Sequence, residues 1–440
     1  MTGMLTRRRI AGPATATAVG SAILLAACGV QDAGGSGATK TRKSVTLQYW
    51  SRFATPIQEV EEKFLPVFQE KYAPVKVERT LASTDYGKLV EKITTAFASN
   101  TPPDVFTMGS PDIVTYAHPG SALQLDAYQQ VRKHSEDFFG PPLAVGRYKD
   151  KLYGLTYYID TRIMMYRKDM MAEVGLPTDR KSLPKTWDQF REVARKLVRW
   201  EGNELRRLGW DIATMGDATQ FLVMLGQQGK KVIAADGKKV EFDGPEGQKA
   251  LQTLVDFVYK DRIDSPQRPQ FPSGIDSLGT PLVAIKWGNA GPISSMKRAN
   301  MDLDALIAPD LTPEFSGKPT SGSYLGGTWQ MVAKATQDPD ASLDLTMFLT
   351  GPEVGLAVAE SQFSPPPHKS SEKSSYVQGA LVKPFYDSLQ YGWVVPQHPK
   401  YAEIRTKLIE VTKDAMAQKK SVREALSEAA AYSNSLLVSA

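Results

Sequence analysis

The side chains best equipped for chemistry in this sequence are aromatic rings set beside charged groups. Tyr49-Trp50-Ser51-Arg52 places an indole next to a guanidinium at the close of an alternating run, and ligands of open α/β sheets bind at such strand ends. Asp85 lies in Ser83-Thr84-Asp85-Tyr86, Asp112 follows Met108-Gly109-Ser110-Pro111, and Tyr157, Tyr158, Asp160 and Arg162 crowd one short stretch. Trp287 precedes Gly288, Trp329 follows Gly326-Gly327, and Trp393 stands with Tyr391 ahead of Pro396 and Pro399. Flat rings pack on the C–H faces of a sugar, carboxylates accept from its hydroxyls and guanidiniums donate to them. Each position also has a plainer reading. Trp50 and Trp329 can be core residues, Asp85 and Asp112 helix N-caps, and Asp160 with Arg162 a purely structural pair.

Catalytic constellations are missing by comparison. There is no GxSxG elbow, HExxH, Walker A or GxGxxG run, and His118, His134, His368 and His398 never fall four apart. No catalytic residue, metal or cofactor is expected. A hydrolase remains a rival only because a glycosidase carboxylate pair is assembled in space rather than in sequence. A purely adhesive surface protein is a further rival.

The elements that must hold these groups follow from periodicity. Val45–Tyr49 alternates as a strand. A helix then starts at Thr55-Pro56, with Thr55 as N-cap and Gln58 completing a capping box; Pro66 should kink or break it. Val75 and Val77 mark a second strand, Leu89, Ile93 and Phe97 one face of a second helix, and Pro103–Phe106 a third strand. This β-α-β-α-β order opens a parallel α/β lobe. Thr186 caps a helix that buries Trp187, Phe190, Val193, Ala194 and Leu197. Leu282–Ile285 reads as a strand, and Ser321–Gly327 as a Gly-rich loop before the apolar Trp329–Ala333.

The N-terminus is an address label. Arg7, Arg8 and Arg9 precede an uncharged apolar stretch that closes as Leu25-Ala26-Ala27-Cys28. That closing motif resembles the lipobox of bacterial lipoproteins, in which the chain is cut before a lipidated cysteine. Thr6–Ile10 fits a twin-arginine signal as well as the general secretory route. Cys28 is the only cysteine among 440 residues, so no disulfide framework or cysteine metal site is expected. Residues 29–43 read as a flexible tether. With the three arginines removed the formal charge falls from +5 to about +2, and no basic tract of nucleic-acid-binding size remains. No later apolar run approaches a membrane span, so the body is expected to be soluble.

In order along the chain, several segments resemble extracellular solute-binding protein family 1, the oligosaccharide receptors of ABC importers. They are Pro103-Asp104-Val105, Lys151–Arg162 with Met165-Tyr166-Arg167-Lys168-Asp169, Pro184–Phe190, and Phe348–Glu353. The likeness covers nearly all of residues 45–435. It implies an α/β, two-lobe, periplasmic-binding-protein-like fold of type II, hinged, each lobe a mixed sheet flanked by helices. Residues 1–27 would be signal peptide and 28–43 the lipidated cysteine and tether. Residues 44–156 plus 310–362 would form the N-terminal lobe, and 157–309 plus 363–440 the C-terminal lobe. Crossings are expected near Thr156–Asp160, Ala308–Pro309 and Phe363–Pro366. The implied partners are a carbohydrate, the permease subunits and, through the anchor, the extracytoplasmic membrane face; a monomer without nucleic acid is expected. Asp160 falls on the family's ligand carboxylate, Asp112 on a sugar-contacting loop, and Gly327 and Trp329 near a hinge. Trp287 matches a stacking position, although Lys286-Trp287-Gly288-Asn289 departs from the family's Gly-Pro-Trp and leaves the register open by one or two residues. The same fold with a polyamine, glycerol phosphate derivative or organic anion is the alternative.

Overall fold

In the computed structural model residues 43–212 and 218–438 are described; the expected export signal, Cys28 and all of the expected 28–43 tether but its last residue lie outside them. Eight strands make one mixed sheet. They are β1 (Thr46–Ser51), β2 (Lys76–Leu81), β3 (Val105–Gly109), β4 (Gly154–Arg167), β5 (Ile285–Gly288), β6 (Ile307–Asp310), β7 (Ser323–Val332) and β8 (Gly392–Trp393). The order is β6-β4-β7-β3-β1-β2, with β5 also pairing β4 and β8 pairing β7.

The first third of the chain folds as its periodicity predicts. β1 runs parallel to β2 and β3, with α1 (Ile57–Lys71) and α2 (Tyr86–Ala98) as the crossovers. Apolar side chains of α1 (Ile57, Phe64, Leu65, Phe68) join Leu47, Tyr49 and Val105 on one face of the sheet. Leu89 and Ile93 of α2 join Phe106 and Met108 on the other. Two local expectations fail. Pro56 itself occupies the N-cap of α1 and no side chain caps it, so Thr55 sits one residue too early to reach the first amides. Pro66 lies inside α1 without ending it. Its ring and Glu62, whose carbonyl loses a donor, are both on the exposed face, where water can replace the missing bond.

The second core gathers on α3 (Trp187–Leu197), α4 (Thr219–Gly226), α5 (Pro245–Tyr259), α8 (Tyr401–Met416) and α9 (Val422–Val438). Between them in the chain lie α6 (Gly291–Arg298) and α7 (Pro352–Gln362). The predicted start of α3 is realised in full, since Thr186 and Gln189 form a reciprocal capping box. Its Trp187 and Phe190 pack on Trp210 and Phe257. The Gly-rich Ser321–Gly327 is not a loop, because from Ser323 onward it is the first half of β7, hydrogen-bonded to β4 and β8. Glycines there let two strands and the space above them approach closely. Among the described residues no helix is long and apolar enough to cross a membrane.

Candidate ligand-binding site

One strand carries most of the site. Along β4, Leu155 and Tyr157 belong to the core beneath α1, while Met164 and Tyr166 belong to the core of α3, α5 and α8. Between these two cores Tyr158, Asp160 and Arg162 are half-buried, whereas Ile159, Thr161 and Ile163 alternate with them and are fully buried. A polar row thus crosses the gap between two hydrophobic cores.

A bulge sets the row's phase. Thr328 of β7 pairs with Tyr158 but Trp329 pairs with Thr156, so Tyr157 is the extra residue. The bulge puts Tyr157 and Tyr158 on the same face, and Phe53 meets both rings edge-on at 6.0 and 5.6 Å. Tyr157 is sealed below, its hydroxyl donating to Glu61 at 2.6 Å, while Tyr158 stays at the surface of the gap. Opposite the row, Gly326 pairs with Asp160 and leaves the floor open. Gly327 has φ +138°, and a Cβ there would stand 2.4 Å from the Tyr158 carbonyl oxygen, so only glycine fits.

The ends of β1 and β3 supply a second wall. Arg52 lies over the rings of Tyr86 and Phe53, at 5.1 and 5.4 Å, and its guanidinium reaches Thr328 Oγ1 at 3.4 Å. The Tyr86 hydroxyl donates to Asp112 at 2.5 Å and accepts from the Gly109 amide at 3.1 Å. Burial raises the Asp112 carboxyl above the usual range, while the Tyr86 bond and the charge of Arg405 oppose that rise. Arg405 projects from α8, which belongs to the other core, so Asp112 feels a cation across the gap. Burial also raises the Tyr158 phenol, helped by Asp160 and opposed by Arg52 and Arg162.

On the far side Arg162 bonds to Thr219 Oγ1 at 3.0 Å and lies 4.9 Å from the Tyr324 ring. Tyr324 stacks on Trp393 at 5.9 Å. A cavity of about 200 Å³ opens beside Asp160, lined by Tyr158, Asn289, Ser294, Arg298 and Gln362 among others. A wider one of about 720 Å³ lies on the far flank of Trp393, bounded by Arg147, Lys230, Lys231 and His398.

The predicted residues therefore divide. Arg52, Asp112, Tyr158, Asp160 and Arg162 meet around the gap, and Gly327 shapes its floor. Trp393 backs it through Tyr324. Five others sit in the cores or at a helix cap. Tyr157 is core, for the bulge reason given above. Trp329 is fully buried with its indole N–H on Pro142 O, and Trp287 is buried with its N–H on Thr312 Oγ1 at 3.0 Å. Trp50 packs with the α2-side core, and Lys92 Nζ lies 4.8 Å from its ring centre. Asp85 is the N-cap of α2, accepting from the Lys88 amide at 2.9 Å, whereas Asp112 makes no side-chain cap bond. Sequence reasoning passed over Tyr86, Tyr324, Asn289 and Arg405. Tyr86 and Tyr324 stood inside segments already singled out; nothing local marked Arg405. Among the described residues no group of His, Cys, Asp or Glu could hold a metal ion.

Known proteins share this organisation. The sequence model of the bacterial extracellular solute-binding proteins matches residues 51–355. The arabinooligosaccharide-binding protein of Bacillus subtilis is 22% identical over 76% of this chain and 74% of its own length. The diacetylchitobiose-binding protein DasA of Streptomyces coelicolor is 23% identical over 88% of each. Among solved structures, the sugar-binding protein MalE of Xanthomonas citri superposes with TM-score 0.78, at 21% identity, over 90% of this chain and 98% of that one. The cyclic α-maltosyl-1,6-maltose-binding protein of Arthrobacter globiformis gives 0.74 at 19% identity, over 90% and 100%. The fold is thus the two-lobed, type II periplasmic-binding-protein fold.

Proposed function

The chain belongs to the bacterial extracellular solute-binding proteins, and on that footing we propose that it captures a mono- or oligosaccharide between two lobes and delivers it to the permease of an ABC importer. Binding, not turnover, is its activity, and it works outside the cytoplasm. The observation that carries the ligand class is the row Tyr158, Asp160 and Arg162 with Arg52 and Asp112, half-buried between two cores. It holds two carboxylates and two guanidiniums beside aromatic rings. A balanced set of this kind suits a neutral ligand rich in hydroxyls, whereas a polyamine or an organic anion calls for charge of one sign. Relatives whose names specify arabinooligosaccharide, diacetylchitobiose and galactooligosaccharide support the same reading.

The lobes are residues 44–156 plus 310–362 and 157–309 plus 363–440, hinged where β4 passes from one core to the other. Asp160 and Arg52 bind hydroxyls, Tyr158 offers its ring, and closure brings Arg405 toward Asp112. A closed form favoured only with ligand needs several kcal/mol of differential binding. Lipidation of Cys28 tethers the monomer beside its permease and raises its local concentration there.

Tryptophan fluorescence or thermal shift against a panel of carbohydrates, amines and organic anions tests this. A carbohydrate is expected to respond, and Asp160→Ala to weaken it by about tenfold or more. Response to amines or anions alone would replace the ligand class. A sugar affinity within about twofold of wild type in Asp160→Ala would misplace the site.

A further inference from the structure

The family resemblance implies a stacking indole at Trp287, with the register open by one or two residues, yet that ring is buried in the α3-side core and its N–H is taken by Thr312. Two residues on, past the end of β5, Asn289 turns toward the cavity beside Asp160. Resting on the sugar-binding reading above, we infer that Asn289, Arg298, Ser294 and Gln362 form with Asp160 a hydrogen-bonding subsite for one terminal sugar ring, which is selected by the placing of its hydroxyls and not by stacking.

Size and chemistry both point there. At about 200 Å³ the cavity is below the ~300–1,000 Å³ of drug-sized sites, so it has room for a ring and not for a chain. The Asn289 side chain accepts from the Gly291 amide at 2.9 Å, which fixes its oxygen inward on the turn and leaves its NH2 group to donate. The Ser294 hydroxyl donates to the Gln362 carbonyl at 3.3 Å and keeps its lone pairs for an incoming hydroxyl. Arg298 lines the cavity, is exposed, and has no ion pair among the described residues. A guanidinium of this kind forks onto two neighbouring hydroxyls. Asp160 supplies the acceptor on the opposite wall. Donors and acceptors at fixed points reject a ring whose hydroxyl is missing or inverted far more sharply than an aromatic face does.

Asn289→Asp is the informative variant. It keeps the oxygen that the Gly291 amide requires while replacing the NH2 donor by a carboxylate oxygen, and Arg298→Gln serves as the variant that adds no negative charge. Titration calorimetry would follow wild type, Asn289→Asp and Arg298→Gln with the best ligand of the carbohydrate panel and with analogues epimeric or deoxygenated at the terminal ring. An unchanged melting temperature of the free variants certifies the fold. The subsite predicts about tenfold or greater loss for Asn289→Asp, with the preference among terminal-ring analogues compressed in both variants. If wild type binds a carbohydrate and both variants keep its affinity within about twofold with the same ranking, the subsite is refuted while the sugar reading stands. If wild type binds no carbohydrate at all, both fall together.

Discussion

Glu61 shows how much of the site is held from below by a single side chain. It is wholly buried on α1, yet it accepts from Tyr49 and Tyr157 at 2.6 Å, from Ser51 at 3.0 Å and from Arg79 at 2.6 Å. Arg79 in turn reaches the Phe53 carbonyl, so the carboxylate ties together the end of β1, the bulge of β4 and the ring that meets Tyr158. A buried ion pair broken on one side leaves the other charge without compensation. Glu61→Ala should therefore cost roughly 3–5 kcal/mol in urea unfolding. Sugar affinity should fall with it, because Phe53 and Tyr157 lose their support. A variant as stable as wild type would mean that Arg79 and the hydroxyls find other partners. None of this was legible in the sequence. Glu61 reads there as one more charged helix residue, and burial depends on strands that lie far away along the chain.

β4 and β7 carry the decisive element-scale feature, a bulge that adds one residue and changes which side chains share a face. Gly327 is its structural counterpart. A methyl group there meets the Tyr158 carbonyl at 2.4 Å, on a backbone that L side chains rarely adopt. Gly327→Ala should destabilise by about 1–3 kcal/mol and also weaken ligand binding, since relief of the clash displaces Tyr158. Gly120 provides the contrast. Its φ is +74° but nothing lies within 4 Å of where the methyl group would stand, so Gly120→Ala should cost only about 1 kcal/mol and leave binding unchanged. Equal losses of affinity in the two variants would show that the bulge does not set the site. The capping box of α3 and the alternation of β1 were readable because each depends on residues within four positions. The β4 bulge was not, because it is defined by register against β7, about 170 residues away.

For the whole molecule, pH reports on a buried group remote from the ligand row. His368 is fully buried between Phe138 and Gly355, its Nε2–H donating to the Thr350 carbonyl, and burial pushes its pKa down to about 4. A histidine kept neutral in the fold binds its proton more readily in the unfolded chain. Its contribution is thus complete above pH ~6.5 and is lost as pH falls toward the folded value, by at most ~3 kcal/mol. His134, also lowered by burial and bonded to Thr350 Oγ1, adds in the same direction. The melting temperature should drop between pH 6.5 and 4, and His368→Gln should flatten that slope; an unaltered slope would acquit His368. At a given pH, a saturating sugar should raise the melting temperature by mass action. By itself the sequence determined the parallel α/β opening, the capped α3, and Asp160 with Arg52 and Arg162 as groups worth watching. Those conclusions rest on local periodicity and on short ordered motifs. Only the tertiary structure decided which aromatic rings are core, that Asn289 and not Trp287 faces the cavity, and that the charge of Arg405 reaches Asp112. The physical reason is that facing is a property of strand register and of two cores packed from distant segments, and neither is written in any one stretch of chain.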